Sequence, residues 1–437
     1  MKIILISPCR DLRLKTPKGA MMPQLALHII KGVTPSEHHV KIIEEESESV
    51  DLDEQCDLVG LSFMTANAPR AYELAAEFKK RGKTVIAGGV HPTILPEEAI
   101  KFVDAVVVGE AENQWEDVLN DFQAGTLKKI YRKEPPTLEN YICTKTKVGR
   151  RKIFGIMPVL TTRGCPYNCD FCCVSDIYGK KIRHIPIANV VRDIKETGGS
   201  SYMFLDDNIM GDRNYAKELF TAIKPLKIKW VGQASLTFVR DEELIRMASE
   251  SGCSALFFGV ESVSETQLQR MKKSFHEMKE LEAAIEKVRD YKILFHASLI
   301  FGFDDDDFNT FPETLDFLMR NKIGSASFNI LTPYPGTKVY DDLKREGRLL
   351  TEDWRYYDHS TCVFRPKNMS AYELQNGKIW VKKEFSKWSN ILKRFNGNSF
   401  HPLLFLALNS TINRKIKKDY MKLEWQKKEL YLPFNSI

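Results

Sequence analysis

No stretch of this chain approaches the ~20 consecutive apolar residues of a membrane-spanning helix, and the longest candidate, residues 402–408, is far too short. The start, Met1-Lys2-Ile3-Ile4-Leu5-Ile6-Ser7, lacks the length and cleavage site of a secretory signal and reads as a first buried strand. Strong charge of either sign is also missing. A net charge of +6 over 437 residues makes no case for nucleic acid or an acidic membrane surface as partner. The nine cysteines form no disulfide framework, since four crowd together and the rest are scattered. Free thiols suit a reducing compartment, so a cytoplasmic location is expected. No internal repeat or low-complexity tract stands out. With 43% hydrophobic residues the chain is globular rather than disordered, and its length predicts two to three domains.

What the chain does have is a dense cysteine segment, Thr161-Thr162-Arg163-Gly164-Cys165-Pro166-Tyr167-Asn168-Cys169-Asp170-Phe171-Cys172-Cys173. Cys165, Cys169 and Cys172 have the spacing C-x3-C-x2-C, with Phe171 just before the third thiol. Three thiolates can hold three irons of a [4Fe–4S] cubane and leave the fourth iron open. An open iron can chelate the amino and carboxylate groups of a small molecule. Gly164 and Pro166 let the backbone turn tightly around the first thiol. The competing reading is a structural zinc knuckle with Cys173 as fourth ligand. Such knuckles draw on two separated cysteine pairs, whereas these four fall within nine residues, directly after the apolar segment 158–162.

The cysteine pattern resembles the radical S-adenosylmethionine (SAM) superfamily, with an aromatic in the position of Phe171. The resemblance implies SAM at the unique iron and reductive cleavage of SAM to a 5′-deoxyadenosyl radical. It also implies an electron donor such as a flavodoxin or ferredoxin.

Strand and helix signals alternate along the first 125 residues. Apolar runs at 3–6, 40–43, 58–62, 84–87 and 105–108 predict strands. Ala71, Leu74, Ala75 and Phe78 fall at helical spacing between the third and fourth, with Pro69 in the first turn and Gly82 as the stop. An α/β fold follows, with a doubly wound, flavodoxin-like parallel sheet at residues 1–125. Residues 126–151, charged and proline-bearing, read as a linker. The unit recurs over 152–340, with strands predicted at 158–162, 202–205, 230–233, 255–260, 294–301 and 326–331. Tyr215, Ala216, Leu219, Phe220 and Ile223 form one helical face that Asp212 suits as a cap. Six such units predict a partial (β/α)6 barrel of the TIM type, whose chemistry sits at the carboxyl-end loops. Residues 341–437 change character and are expected to form a small, mostly helical domain.

Asp206-Asp207-Asn208 ends the second barrel strand, where carboxylates suit a cationic group such as the amino group of SAM. The resemblance implies the same role, with Asp-Asp-Asn replacing the usual Gly-Gly-Glu, a variant of cobalamin-binding members. A helix-capping acidic turn is the alternative. Glu261 follows the apolar run 255–260, and a carboxylate there is costly unless paired or liganded. A ribose hydroxyl pair is a suitable partner, a structural salt bridge the alternative. Gln233 and Ser235, after the third strand, are further SAM candidates. The aspartates of Gly302-Phe303-Asp304-Asp305-Asp306-Asp307 lack the pattern of a calcium loop and read as a solvated turn, with Gly302 admitting the adenosyl moiety. Thr332-Pro333-Tyr334-Pro335-Gly336-Thr337 resembles a Pro-Gly-Thr segment of the superfamily.

In the N-terminal part, Gly88-Gly89 permits close approach of backbone to a bulky ligand. Ser62, Gly88-Gly89-Val90-His91-Pro92 and Val108-Gly109-Glu110 resemble cobalamin-binding domains fused ahead of radical SAM domains. Ser62, Gly88, Gly89, His91 and Gly109 are therefore the cobalamin candidates. The Asp-x-His-x-x-Gly motif of other cobalamin proteins is missing, which leaves the axial ligand undetermined, with His91 either a cobalt ligand or, more commonly for a histidine in a glycine turn, an ordinary loop residue. The tail resembles the C-terminal region of hopanoid-methylase relatives through the stretch from Asp353-Trp354 to Met369-Ser370.

These readings converge on a cobalamin-dependent radical SAM enzyme that methylates an unactivated carbon of a small-molecule or lipid-like substrate. The same cofactors performing cyclisation, rearrangement or oxidation are one alternative. A cobalamin or iron–sulfur sensor is another, although a sensor needs no SAM site. A methylthiotransferase is disfavoured because the N-terminal part has no second cysteine cluster. Residues 400–408 beside Arg414, Lys415, Lys417 and Lys418 suit either a peripheral membrane contact or, preferably, a helix docked on the barrel.

Overall fold

The computed structural model describes residues 1–12, 22–139, 141, 156–264, 267 and 278–431, the side chains of 411–415 excepted. Two compact units divide the chain. One holds residues 1–168 and 173–205, the other 169–172 and 206–437. The boundaries expected near 125, 152 and 340 do not coincide with this division.

In the first unit, β1 (Lys2–Ser7), β2 (His39–Glu44), β3 (Leu58–Ser62), β4 (Thr84–Gly88), β5 (Ala105–Val108) and β6 (Ile130–Arg132) form a parallel sheet. Its order is β2-β1-β3-β4-β5-β6, the flavodoxin-like 2-1-3-4-5 order with one strand added. β1, β3 and β5 are near-continuous apolar runs, as strands covered on both faces require. The predicted helix forms over Ala68–Lys80 and buries Ala71, Leu74, Ala75 and Phe78. β6 corrects the linker reading. It is a short edge strand flanked by charge, so its pattern is faint, yet Tyr131 is buried and its hydroxyl donates to Asp121 Oδ2 at 2.9 Å. Most of the remaining linker, 140 and 142–151, lies outside the described residues.

The second sheet is built from β7 (Met157–Val159), β10 (Ser201–Phe204), β11 (Lys229–Ala234), β12 (Cys253–Glu261), β13 (Leu294–Phe301) and β14 (Ser325–Ile330). Its strands lie in sequence order and run parallel, which makes it the expected (β/α)6 partial barrel. Between β7 and β10, β8 (Thr162–Arg163) and β9 (Arg183–His184) pair antiparallel. This hairpin had no sequence signal, being two residues long on each side. The helix Arg213–Ile223 buries Ala216, Leu219, Phe220 and Ile223, and Asp212 caps it by accepting from Asn214 N and Tyr215 N.

Phe258, Leu299, Phe301, Phe328 and Ile330 lie on one face of β12–β14 and are buried. Phe301 meets Phe311 of the helix Thr310–Arg320, and Phe328 meets Phe385 of the helix Ala371–Phe385. Helices therefore cover that face. The opposite face is floored at its amino end, where Ala255 and Leu294 pack with Ile391 and Phe405. Phe405 belongs to the helix Pro402–Gln426 and is fully buried. The apolar run 402–408 thus docks on the barrel through Phe405, with Leu403 left outward. Among the described residues no helix is long and apolar enough to cross a membrane.

Candidate cofactor and substrate site

The cysteine loop is hung on the β8–β9 hairpin. Gly164 has φ +95°, and a Cβ there would lie 2.6 Å from Lys181 O and 2.9 Å from Gly179 O. Only glycine fits, which holds Cys165 at the start of the loop, its N donating to Gly179 O at 3.3 Å. Cys172 N donates to Cys169 O at 3.0 Å, closing a turn that brings those two residues together. Cys173 instead caps the helix Val174–Tyr178, its carbonyl accepting from Asp176 N and Ile177 N. In the second unit, Val339 N donates to Asp170 O at 3.1 Å and Phe171 packs edge-on against Phe303. Thr337, from the Pro-Gly-Thr segment, caps the helix Lys338–Arg345 that supplies Val339.

All four thiols of the segment are partly exposed and none is in a disulfide. Among the described residues no three His, Cys, Asp or Glu side chains converge as they would around a single metal ion. A cubane spreads its thiolates over separate irons, so a loop of three accessible sulfurs is a suitable donor set for it.

Asp206 is fully buried and Asp207 is partly exposed. Asn208, to which sequence reasoning assigned no separate role within Asp-Asp-Asn, ties this segment to the loop after β11. Its Oδ1 accepts from Ser235 N at 3.1 Å, and Ile209 N donates to Gln233 O at 3.0 Å. Ser235 Oγ in turn shares a 2.7 Å hydrogen bond with Thr237 Oγ1. Glu261 ends β12 at φ +64°, next to a register shift between Gly259 and Glu261, and is 8% exposed. A buried glutamate held in the left-handed region is strain of the kind kept at functional sites.

Gln233, Phe257 and His296 share one row across β11, β12 and β13, on the face turned away from the helices. One step toward the carboxyl ends lie Ser298 and Ser327, then Asn329. His296 shares a 3.1 Å hydrogen bond between Nε2 and Ser327 Oγ and leans on the Phe257 ring at 4.4 Å. Burial pushes the His296 imidazole down to about 4, so it is neutral near pH 7. Asn329 Nδ2 lies 3.4 Å from Ser298 Oγ. Phe257, Ser298, Ser327 and Asn329 keep partial exposure while their strand neighbours are buried. Sequence reasoning missed this wall. The signal was the polar alternation His296, Ser298 in β13 and Ser325, Ser327, Asn329 in β14.

One sequence expectation is corrected by packing, and a second in part. The space beside Gly302 is filled by the chain itself, since a Cβ there would meet Leu374 and Phe364 at 2.9 Å. Asp305 and Asp307 are exposed, as a solvated turn implies, whereas Asp304 is half-buried and Asp306 is buried. Asp304 pairs with Arg348 and Lys367, Asp306 accepts from Gly302 N and Phe303 N, and Asp307 accepts from Asn309 N and Thr310 N. Burial lifts the Asp306 carboxyl to about 6.

In the first sheet the glycines divide. Gly89 has φ +95°, and a Cβ there would lie 2.8 Å from Phe63 N, 2.9 Å from Phe63 O and 3.0 Å from Ser62 Oγ. Its conspicuous doublet therefore serves the sheet's own backbone, with Gly88 in ordinary contact with Val107. His91 is fully buried, its Nε2 3.1 Å from Tyr72 Oη and 3.2 Å from Glu98 Oε1, which is a packing role. Gly109 is different. It has φ +79°, its N donates to Thr93 Oγ1 at 2.9 Å, and among the described residues nothing lies within 4 Å of where a Cβ would stand. That open cradle, with Ser62 partly exposed at the end of β3, is what a bulky cofactor needs at a carboxyl edge.

Residues 159–318 match the Radical SAM superfamily and residues 19–119 match the B12 binding domain. Bacteriochlorophyllide d C-12(1)-methyltransferase of Chlorobaculum tepidum is 30% identical over 95% of this chain and 94% of its own length. The C-8(2)-methyltransferase of the same organism is 30% identical over 85% of this chain and 87% of its own length. The chain belongs to the cobalamin-binding radical SAM methyltransferases. A hopanoid C-2 methylase of Rhodopseudomonas palustris is 25% identical over 77% of this methyltransferase and 67% of its own length. Among solved folds, the cobalamin-dependent SAM radical enzyme OxsB superposes with TM-score 0.70 at 16% identity, over 97% of this chain and 72% of its own. The radical SAM methyltransferase TsrM of Kitasatospora setae superposes at 0.64 and 16%, over 79% and 75%. The methyltransferase uses a [4Fe–4S] cluster, SAM and cobalamin, and its reaction is C-methylation.

Proposed function

We propose that this methyltransferase acts on a tetrapyrrole of the bacteriochlorophyllide type, held against the uncharged wall of β11–β14. Identity to the two Chlorobaculum tepidum enzymes along nearly the whole chain supports the substrate class. The carrying observation is the wall itself, an aromatic pair, Phe257 and His296, bordered by neutral donors and acceptors on Ser298, Ser327 and Asn329. A flat, largely apolar ring system fits such a surface, with neutral donors and acceptors at its border.

In this reading Cys165, Cys169 and Cys172 hold the cluster, and Phe171 closes over it. Asp207, with Asp206 behind it, receives the SAM amino group, and Glu261 receives the ribose hydroxyls. Gln233 and Ser235 line the same pocket, kept in place by Asn208. Gly109 and Ser62 border the cobalamin. When bound, the cofactors supply a 5′-deoxyadenosyl radical that takes a hydrogen atom from the substrate carbon and a methyl group that replaces it. The protein's own work is to orient the carbon and keep water away. A flavodoxin or ferredoxin serves as electron donor, in a reducing compartment that suits the free thiols.

The test is anaerobic turnover with SAM, reductant, cobalamin and bacteriochlorophyllide d as probe. A product heavier by one CH2 is expected, together with 5′-deoxyadenosine. Formation of 5′-deoxyadenosine with no methylated tetrapyrrole would set the substrate class aside.

A further inference from the structure

Arg163 and Arg183 stand directly opposite each other in the β8–β9 hairpin, one on each side of the cysteine loop. Like charges opposed across a strand pair destabilise it. Here both side chains are withdrawn from water, at 9% and 17% exposure. Glu110, in the loop after β5, answers both. Its Oε2 accepts from Arg163 Nη1, its Oε1 from Arg183 Nη2, and Oε2 also accepts from Arg183 Nη1 at 3.1 Å. Glu112 Oε1 takes the remaining face of Arg163, from Nη2 at 2.5 Å. Two carboxylates and two guanidinium groups make the cluster neutral overall.

The Glu110 backbone is fixed as firmly. Buried Gln114 donates through Nε2 to Glu110 O at 2.8 Å and to Val108 O at 2.9 Å. Arg183 donates further to Pro136 O and Tyr178 O. The loop that carries the open Gly109 cradle is therefore joined by charge-assisted hydrogen bonds to the residue two positions before Cys165 and to the strand that closes the cysteine loop. Replacing such a buried set with apolar side chains would commonly stabilise a protein, so its presence here points to a specific geometry being enforced.

We propose that Glu110 is a positioning residue through which cobalamin at the Gly109 loop and the iron–sulfur cluster on the cysteine loop sense one another. This rests on the reading that the Gly109 loop borders cobalamin. A movement of the loop in either direction changes the partner geometry of both arginines, so each cofactor biases the conformation that the other requires. Coupling of this kind is reciprocal.

The experiment is a cobalamin titration, read from its absorbance, of the full-length chain with and without the reconstituted cluster. The native chain is expected to bind cobalamin on the order of ten-fold tighter with the cluster in place. In the cluster-free chain, cobalamin should in turn slow alkylation of Cys165. Glu110→Gln should bring the affinity ratio close to one, and Glu110→Asp should restore part of it. A Glu110→Gln protein whose two affinities fall equally, with the ratio kept, would mean the carboxylate only holds the fold. That outcome overturns the proposal, as does a native ratio of one. Should Glu110→Gln not fold, Glu112→Gln removes the outer arm alone and is expected to give an intermediate ratio; an unchanged ratio counts against coupling. Gly109→Phe, which fills the cradle, tests the underlying reading separately, because unaltered cobalamin affinity there would remove the loop from the cofactor site.

Discussion

The carboxyl edges of the two parallel sheets spend their polar and glycine residues differently. In the N-terminal sheet most are committed to the sheet itself. Gly89 makes room for the Phe63 backbone, His91 bonds Tyr72 and Glu98, and Glu45 accepts from Cys9 N and Arg70. At Gly109, by contrast, no described residue lies within 4 Å of where a Cβ would stand. In the second unit, polar residues on the face away from the helices stay partly exposed, and Glu261 is held in a strained backbone well. A glycine doublet is thus poor evidence of a ligand when a neighbouring strand can use the space. Half-buried polar alternation in an otherwise apolar strand is better evidence, because the sheet gains nothing from it.

The largest effect that tests this comparison is at the cysteine loop, where Gly164 and the hairpin hold the proposed ligands rather than the core. Cys165→Ala, Cys169→Ala or Cys172→Ala is expected to abolish the cluster's visible absorbance and SAM cleavage. Cys173→Ala should keep both, since Cys173 contributes its carbonyl to a helix cap. Equal loss in the Cys173 variant would favour a four-cysteine site.

Next come the glycines. Gly89→Ala should cost roughly 4 kcal/mol, combining left-handed strain with a collision against the Phe63 backbone. Gly109→Ala should cost about 1 kcal/mol, from backbone conformation alone. Denaturant unfolding measures both, and equal losses would erase the distinction drawn between the two positions.

The second unit also carries a charge that packing penalises. Lys378 lies in the helix Ala371–Phe385 and is 2% exposed. Burial pushes its amine down to about 8, with Asp419 opposing. The unfolded amine, near the ordinary lysine value of 10.5, binds its proton more tightly than the folded one. Stability should therefore rise as pH increases through the window between these two values. Lys378→Met is expected to raise stability near pH 7 by roughly 3 kcal/mol and to flatten that rise. A steeper rise in the variant would reverse the sign assigned to this group.

The smallest effect concerns Glu261. Glu261→Gly relieves the positive φ and should stabilise the fold by about 1 kcal/mol, while weakening SAM binding. A variant that is more stable and binds SAM unchanged would make the strain structural and leave the ribose without its proposed partner.

Much of the architecture was legible in the sequence because strand and helix periods report burial locally. The runs at 58–62 and 105–108 are buried strands, and Ala71, Leu74, Ala75 and Phe78 lie on the buried face of their helix. The cysteine spacing points to residues 161–173 as the candidate cluster loop, because ligand spacing is a property of the chain itself. Short pieces escaped for the same reason: β6, β8 and β9 have three or fewer residues each, too few to show a period.

The sequence by itself determined the two parallel sheets, the three-thiol loop and the family, since these depend on local pattern and on residue identity along the chain. Only the tertiary structure decided which residues with the right chemistry are available to a ligand. It assigned Gly89 and Gly302 to packing and left Gly109 open. It brought Glu110 onto Arg163 and Arg183 across 53 and 73 residues of chain. It also aligned Gln233, Phe257 and His296 in one row, a matter of strand register. Register and long-range ion pairing arise from the packing of distant segments, and no local spacing encodes them.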